Sequence, residues 1–341
     1  MKVAVAMSGG VDSSMTAALL KEAGYEVYGV HMLLSPDHNP EHNISDLEST
    51  CELLDIPLYK LNFESEYQRE VIDYFCKEYA LGRTPNPCIA CNRHIKFHLL
   101  LDRALKMGAH YLATGHYARV KGSLDGFSLL KGIDTSKDQS YFLYTLGQRQ
   151  LQYLLLPLGN RRKTEIRNLA GKLGLPTAKS PESQDVCFIR DKDYRSFITQ
   201  RIPLKSGDIV DSEGRVLGKH QGLALYTVGQ RQGLRLATKE RYYVIKLDAA
   251  TNRVVVGSED KLLSSSLTAG KLNWIAGKAL KKISGITAKI RYRSPEVRVK
   301  LYTWDSGVEV KFDKPQRAIT PGQAIVFYKG DVVLGGGVIE G

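Results

Sequence analysis

The sequence predicts an α/β protein: an N-terminal, Rossmann-like, doubly wound parallel sheet, then a small β-rich middle domain and a C-terminal β-barrel. Three observations support this fold class. Apolar strand-like segments alternate with helical patterns over the first half of the chain. A glycine-containing turn joins the first strand to the first helix. From Ile202 onward, short alternating segments are separated by Gly, Asp and Ser.

The parallel sheet is predicted from segments rich in Val, Tyr and Leu, at Lys2 to Met7, Glu26 to Met32, Leu58 to Asn62 and His110 to Thr114. Helical patterns lie between and after them, at Ser13 to Lys21, Ser45 to Leu54, Tyr67 to Ala80, Ile95 to Lys106, Asp138 to Leu146 and Thr164 to Leu173. Gly24 and Gly108 are placed to end helices. The alternation is typical of βαβ units.

The second half of the chain contains short strand-like segments at Asp208 to Val210, Tyr242 to Leu247, Arg253 to Val256, Ile286 to Tyr292, Val297 to Tyr302, Val308 to Phe312, Ala324 to Tyr328 and Val332 to Leu334. Charged residues and a serine run at Ser258 to Ser266 interrupt this pattern. We therefore expect an α/β domain over residues 1–200, a small central domain over 201–262 and a barrel over 263–341.

Composition restricts the class of protein further. The 341 residues include 48 Lys and Arg against 36 Asp and Glu, so the formal charge of +12 favours a polyanionic partner. The five cysteines are an odd number, which argues against a disulfide scaffold. The chain runs from Met1 directly into the first strand and has no membrane-length apolar stretch. We expect a cytoplasmic protein without a membrane partner.

The turn Ser8 to Ser13, with the sequence SGGVDS, is predicted to bind phosphate. Its two glycines let the backbone approach an anion, and the helix that follows presents unpaired N–H groups. The turn lacks the Gly-Lys-Ser/Thr ending of a P-loop, which suits ATP cleaved to AMP and pyrophosphate. Asp12 is the natural carboxylate for Mg²⁺. The alternative is a glycine turn that only joins a strand to a helix.

A second informative stretch is residues 82–92, which contain the pair Cys88 and Cys91. We expect Asn92 to cap the following helix, and we expect Arg83, Arg93 and Lys96 to lower the pKa of Cys91. A Cys-x-x-Cys pair serves zinc, dithiol redox or iron–sulfur sites, although His94 and His98 lie too close in sequence for a zinc finger.

The other cysteines divide into two kinds. Cys187 lies in residues 180–188, a Pro-containing polar loop like the one before Cys88, which suggests a shared site. Cys51 and Cys76 fall inside helical patterns, and we expect them to be ordinary buried residues.

Three further segments are candidates for binding. Gly115 follows the fourth strand, at the sheet edge where such folds bind ligands, and could let an adenine lie on bare backbone. Lys137 to Ser140 offers donors at a helix start, or a simple cap. Lys289, Arg291 and Arg293 alternate with apolar residues, so a strand there would present a basic row that tracks phosphates or a merely solvated face.

These motifs resemble the family of tRNA-specific 2-thiouridylases of the MnmA type. The matching segments are SGGVDSS (8–14), GRTPNPCIACNRHIKF (82–97), ATGHYAR (113–119), KDQSYFL (137–143), SPESQDVCFI (180–189), YTVGQRQGL (226–234), IRYRS (290–294) and PGQAIVFY (321–328). They extend over essentially the whole chain. SGGVDS alone indicates only the wider group of PP-loop ATP pyrophosphatases, whereas TPNPxxxCN together with SQDVCF is specific.

The resemblance implies an ATP- and Mg²⁺-dependent tRNA sulfurtransferase. It adenylates the C2 carbonyl of the wobble uridine and then introduces sulfur to give 2-thiouridine. The implied partners are tRNA and a sulfur donor, which is a sulfur-carrier protein, a cysteine desulfurase or sulfide. The resemblance assigns ATP binding to Ala6, Met7, Ser8, Gly9, Gly10, Val11, Asp12, Ser13, Met32 and Gly115. It assigns tRNA contacts to Asn86, Pro87, Cys88, His116, Lys137, Asp138, Gln139, Arg291, Tyr292 and Gln323.

The resemblance makes Cys91 the nucleophile or resolving thiol and Cys187 the carrier of a persulfide. Familiar members have aspartate where this chain has Cys88. Cys88, Cys91 and Cys187 could instead ligate a [4Fe-4S] cluster, and the sequence leaves both routes open. Two other functions also remain: a different PP-loop ATP pyrophosphatase that forms amides or ligates, and a non-enzymatic, tRNA-binding sulfur carrier.

Overall fold

A computed structural model describes residues 1–34, 41–180, 186–189, 193–236, 240–278 and 284–340. Its N-terminal sheet is parallel throughout, with the strand order β3-β2-β1-β4-β7. The strands are β1 (Lys2–Ala6), β2 (Glu26–Leu33), β3 (Leu58–Asn62), β4 (Tyr111–Ala113) and the short β7 (Leu154–Leu155). The predicted doubly wound sheet is confirmed.

Helices cover this sheet. Two of them are Val11–Glu22 and Glu41–Leu53, and two more are Lys163–Lys172 and Tyr194–Thr199. The tyrosine helix (residues 64–80) joins Glu64–Tyr67, a widened segment Gln68–Asp73, and Tyr74–Ala80. The cysteine helix (residues 87–106) joins Pro87–Ala90, a widened segment Cys91–Leu100, and Leu101–Lys106. Among the described residues, no helix has the length and apolar character needed to cross a membrane.

One predicted helix does not form. Instead of a helix over Asp138 to Leu146, the chain makes only the short helical turn Ser140–Leu143. Other single turns are Gln148–Leu151, Pro157–Asn160, Pro176–Lys179, Leu223–Leu225 and Glu259–Leu262. The reason lies in Asp138, whose buried carboxylate accepts hydrogen bonds from the backbone N–H of Gly132 and of Ser140, 3.0 and 3.1 Å away. These bonds favour a local turn over a continued helix.

The strand order places the phosphate turn at a topological switch point. β2 and β3 lie on one side of β1, whereas β4 and β7 lie on the other. Chain segments that leave β1 and β4 at their carboxyl ends therefore diverge and open a crevice, which is where α/β sheets bind ligands.

The C-terminal part forms a closed six-stranded barrel. Its strands are β12 (Leu263–Trp274), β13 (Thr287–Lys289), β14 (Val297–Trp304), β15 (Gly307–Arg317), β16 (Ala324–Lys329) and β17 (Val332–Ile339). Pairing of β12 with both β15 and β17 closes the ring. An N-terminal hairpin of β5 (Ala118–Ser123) and β6 (Gly126–Lys131), which the sequence did not predict, extends the same sheet through β6–β17 pairing.

The central sheet has the order β10-β11-β8-β9. Its strands are β8 (Gly207–Val210), β9 (Val216–His220), β10 (Tyr243–Asp248) and β11 (Arg253–Gly257). This sheet shares one hydrophobic core with the tyrosine helix, in which Phe75 packs among residues that include Ile198 and Val244. The central sheet therefore supports the helix that, together with the cysteine helix, surrounds the thiols.

Replacing Leu129 by alanine tests the contribution of the hairpin to the barrel. Leu129 is fully buried in the core that the hairpin shares with the barrel. The free energy of unfolding should fall by about 2–5 kcal/mol, because a cavity replaces packed methyl groups. Denaturant unfolding followed by the fluorescence of Trp274 and Trp304, which both lie in the barrel, measures it. Leu124→Ala at the exposed hairpin tip is the control, and an equal loss in both variants would contradict the assignment.

Candidate active site

The phosphate turn is built as an open helix N-terminus. Gly10 precedes Val11–Glu22 without any side-chain cap, and Gly9 has φ +79°, a value that favours glycine. Ser13 stabilises the turn, since its hydroxyl donates to Gly10 O at 2.9 Å and accepts from Ser8 N at 3.2 Å. The first amides of the helix remain available for an anion.

Gly115 lies directly against this turn. A Cβ at position 115 would come within 2.9 Å of the Asp12 carbonyl carbon and 3.1 Å of Ser13 N. The bare Cα therefore lets the loop after β4 pack on the phosphate turn. This gives Gly115 a packing role that the sequence did not indicate; its contact with adenine stays a prediction, as do those of Ala6, Met7 and Met32.

Sequence reasoning missed Lys163. Its ammonium lies 2.6 Å from both carboxylate oxygens of Asp12, and the Tyr117 hydroxyl donates to the same carboxylate at 2.8 Å. Lys163 is buried, whereas the side chain of Asp12 is 34% exposed. A signal existed, because Lys163 begins the helix that follows β7 at the carboxyl edge of the sheet. The turn lacks the lysine of a P-loop, and the lysine beside it, Lys163, comes instead from a later helix.

The site retains room for Mg²⁺ when nucleotide is bound. Three hydrogen bonds occupy Asp12, and a carboxylate has about four lone-pair sites, so one site on Oδ2 remains. Among the described residues, no group of three or more His, Cys, Asp or Glu side chains could hold a metal. Magnesium would therefore depend on Asp12 together with nucleotide phosphate oxygens.

The cap of the cysteine helix lies six residues earlier than expected. Asn86, not Asn92, caps it, accepting from Cys88 N at 3.1 Å and Ile89 N at 3.3 Å. Pro87 is the first helical residue, where a missing N–H costs nothing. Asn92 lies inside the helix and donates to Phe142 O at 3.2 Å. The predicted cap at Asn92 is wrong because the prolines start the helix sooner.

The predicted lowering of the Cys91 pKa is also wrong. Cys91 is buried, and desolvation raises its pKa to about 12 despite the opposing charge of Lys96. Desolvation likewise raises the pKa of Cys88 to about 11, although this residue is exposed to solvent. Cys187 contributes to raising both values, so the three thiols lie close enough to interact. Cys51 is buried and Cys76 half-buried, in agreement with their structural interpretation.

Cys187 is exposed and makes a contact that the sequence did not predict. Its sulfur lies 3.1 Å from the hydroxyl of Tyr67, on the tyrosine helix. Residues 181–185 of its predicted loop lie outside the described residues.

Among the described residues, no three His, Cys, Asp or Glu side chains form a group that could hold a metal ion, the thiols and histidines included. The [4Fe-4S] cluster at Cys88, Cys91 and Cys187 stays a prediction. Nδ1 of His94 lies 3.8 Å from Glu70, and Nδ1 of His98 lies 3.9 Å from Asp102.

Several residues assigned to tRNA are engaged within the protein. His116 Nδ1 lies 2.7 Å from the Thr114 hydroxyl, and burial followed by the charge of Lys96 holds its pKa well below the usual range. Asp138 is buried and bonded to backbone, as described above. The amide oxygen of Gln139 accepts from the backbone N–H of Tyr117 at 3.0 Å. Their tRNA contacts, and that of Lys137, stay predictions.

The basic row expected over residues 289–293 does not form, because the strand ends at Lys289. Arg291 is half-buried in the following turn, where its guanidinium donates to Ala318 O and to the Thr320 hydroxyl. Tyr292 packs on Phe142, with ring centroids 4.5 Å apart. The backbone of the turn is held locally, so the alternation does not continue.

Gln323 connects the barrel to the loop that precedes the cysteine helix. Its amide donates to Thr84 O at 2.8 Å, and Thr84 N donates to Pro321 O at 2.8 Å. Together with the Asn92 and Tyr292 contacts, this brings the cysteine helix, the Phe142 turn and the barrel to one region. The predicted tRNA residues therefore cluster, although Gln323 also has this structural role.

The fold and the site define a class, a PP-loop type nucleotide-binding domain with a thiol site beside it. The family model for the tRNA methyl transferase HUP domain matches residues 1–191. Those for the tRNA methyl transferase PRC-barrel domain and the Aminomethyltransferase beta-barrel domain match residues 195–258 and 264–339. The division at 200 and 262 stays a prediction.

Two relatives cover nearly the whole chain. The tRNA-specific 2-thiouridylase MnmA of Moorella thermoacetica is 49% identical over 98% of this chain and 98% of its own. That of Carboxydothermus hydrogenoformans is 49% identical over 99% and 97%. The U34-tRNA thiolase NcsA from Methanococcus maripaludis, solved with its [4Fe-4S] cluster, shares 21% identity and a TM-score of 0.36 over 59% of this chain and 64% of its own. The chain belongs to the MnmA family of tRNA-specific 2-thiouridylases.

Lys163→Met should weaken ATP binding about tenfold or more while leaving tRNA affinity unchanged. Without the ammonium, Asp12 presents an unneutralised carboxylate to the triphosphate, and a charge-assisted bond is lost. Equilibrium binding of ATP and of tRNA, measured separately, checks both parts. Lys172→Met, an exposed lysine at the other end of the same helix, is the control. Unchanged ATP affinity in Lys163→Met would contradict a role at the nucleotide.

Proposed function

We propose that this chain is an ATP-dependent tRNA 2-thiouridylase that replaces the C2 carbonyl oxygen of the wobble uridine by sulfur. One juxtaposition carries the proposal. Gly115 packs on the phosphate turn. The charge of Lys96 acts to lower the pKa of the next residue, His116. The same charge opposes the rise in the pKa of Cys88 and Cys91, so Lys96 lies near all three groups. A nucleotide site and a thiol site therefore meet across two adjacent residues.

The nucleotide half supplies the leaving group. The carbonyl oxygen of uracil attacks the α-phosphorus of ATP, the bond to the β-phosphate breaks, and pyrophosphate leaves. The open helix amides after Gly10 and the ammonium of Lys163 neutralise the phosphate charge. Magnesium, when bound, adds charge neutralisation at the phosphates and would be held by the free lone pair of Asp12.

The thiol half supplies sulfur through a persulfide. The terminal sulfur on Cys187 attacks C2 of the adenylated base, and AMP leaves with the former carbonyl oxygen. The Cys91 thiol then attacks the inner sulfur and gives its proton to the departing thiolated base, which breaks the persulfide bond, leaves sulfur on the base and forms a Cys91–Cys187 disulfide. Two electrons and two protons from an external thiol reductant reopen that disulfide. We favour this route over a cluster because Cys187 is exposed, as loading by a donor requires, whereas Cys91 is buried beside it.

The donor that loads Cys187 is a sulfur-carrier protein or a cysteine desulfurase that delivers persulfide sulfur, or sulfide. Sulfide loads it by opening the Cys91–Cys187 disulfide, which breaks the S–S bond and gives the Cys187 persulfide and the Cys91 thiol. Exposure of Cys187 supports access by any of the three. The substrates, tRNA and ATP, agree with a cytoplasmic location. The net charge of +12 supports an RNA substrate, since phosphate contacts dominate such binding.

The direct test is tRNA-dependent pyrophosphate release together with formation of 2-thiouridine. Purified protein, MgATP, a persulfide donor and a transcript with uridine at the wobble position should give both products. A transcript with cytidine there should give neither. Asp12→Ala should lose both products and keep tRNA affinity. Pyrophosphate release that does not depend on tRNA would instead favour another ATP pyrophosphatase. Binding of tRNA without release of pyrophosphate would favour a non-enzymatic sulfur carrier.

Cys88→Asp distinguishes the persulfide route from a cluster. In the persulfide route the thiols that transfer sulfur are Cys187 and Cys91, so position 88 need not carry a thiol. Aspartate restores the acid of familiar members, and the variant should keep activity with iron-free protein. Cys91→Ser should lose thiolation but keep ATP and tRNA binding. An inactive Cys88→Asp variant with intact binding, beside an iron-containing active wild type, would contradict the persulfide route.

A further inference from the structure

We propose that Tyr67 is a positioning residue for sulfur transfer, whose hydroxyl holds and stabilises the anionic sulfur of Cys187. This inference deepens the proposed function and rests on it. Tyr67 lies on the tyrosine helix, far in sequence from the motifs that carry the site, and its hydroxyl lies 3.1 Å from Cys187 Sγ.

The contact is held from both sides. Tyr67 is fully buried, so its ring cannot move away without opening the core. On the other side, Phe188 follows Cys187 and is itself buried. The ring of Phe188 lies edge-on to Tyr67 at 6.2 Å between centroids and to Phe75 at 5.3 Å. Phe188 therefore anchors the exposed cysteine above the tyrosine hydroxyl.

The Tyr67 hydroxyl acts as the hydrogen-bond donor to an anionic Cys187. Burial, followed by the neighbouring thiols, raises the pKa of Tyr67 far above its usual value, so the phenol keeps its proton. A thiolate or a persulfide anion on Cys187 only accepts, hence the O–H of Tyr67 points at it. The titratable groups described around this pair are Cys88, Cys91 and Lys96. Hydrogen bonds to charged groups are stronger than those between neutral groups.

The two thiols of the proposed reaction thereby receive different roles. Cys91 is buried and kept protonated, whereas Cys187 is exposed and has a dedicated donor. Loading follows from this difference. The Cys187 thiolate attacks the outer sulfur of a donor persulfide, the donor S–S bond breaks, and the donor thiolate leaves and takes a proton from solvent. The negative charge of the new persulfide lies on its outer sulfur, one bond beyond the Cys187 Sγ that the Tyr67 hydroxyl contacts.

Tyr67→Phe removes one oxygen and keeps the ring. Reaction of Cys187 with iodoacetamide, resolved by peptide mass spectrometry across pH 6–10 as an approximate range for thiol titration, needs neither ATP nor tRNA. The rate at neutral pH should fall about tenfold and the midpoint of the pH profile should rise by about one unit, because the anion loses a charge-assisted bond. Loading of Cys187 by a persulfide donor should slow by a similar factor.

Tyr79→Phe, on the same helix and with its hydroxyl bonded to Thr227, is the matched control and should leave the profile unchanged. Phe188→Leu loosens the anchor but keeps the hydroxyl, and it should shift the profile in the same direction by less. An unshifted profile in folded Tyr67→Phe overturns the inference. Wild-type protein that makes no 2-thiouridine, yet shows the shift, would overturn the proposed function and leave the Tyr67–Cys187 interaction standing.

Discussion

The approach of Gly115 to the phosphate turn is the contact on which the site depends. A side chain at position 115 would meet the Asp12 backbone at 2.9 Å, so only glycine lets the loop after β4 pack on the phosphate turn. His116 follows directly. Lys96 lies near both His116 and Cys91, because its charge acts to lower the pKa of each. The packing of Gly115 thus brings together the nucleotide turn and the thiol segment, which are separate in the sequence.

Desolvation, rather than the number of nearby cations, determines the pKa of the thiols. Arg83, Arg93 and Lys96 surround the Cys91 segment in the sequence, yet the pKa of Cys91 rises because burial outweighs the one cation that opposes it. A buried, protonated Cys91 is protected from oxidation and from premature reaction. In the reaction proposed above, the exposed Cys187 would therefore be loaded with sulfur before Cys91 reacts.

The barrel contributes to the region around the cysteine helix. The β5–β6 hairpin extends its sheet, and Gln323 and Pro321 hold the loop before the cysteine helix. Arg291 braces the barrel at Ala318 instead of projecting from a basic strand. The thiol site is therefore assembled from both ends of the chain.

The sequence by itself determined the parallel sheet, the phosphate turn and the cysteine pair, because strand periodicity, glycine placement and Cys spacing are local properties. It also determined the family, since the segments that match the MnmA type extend over essentially the whole chain. Only the tertiary structure decided the pairing of Lys163 with Asp12, the contact of Tyr67 with Cys187 and the raised pKa of Cys91. Those partners are separated by 151 residues in the first case and 120 in the second, and burial depends on everything packed around a group. Local patterns carry no information about either.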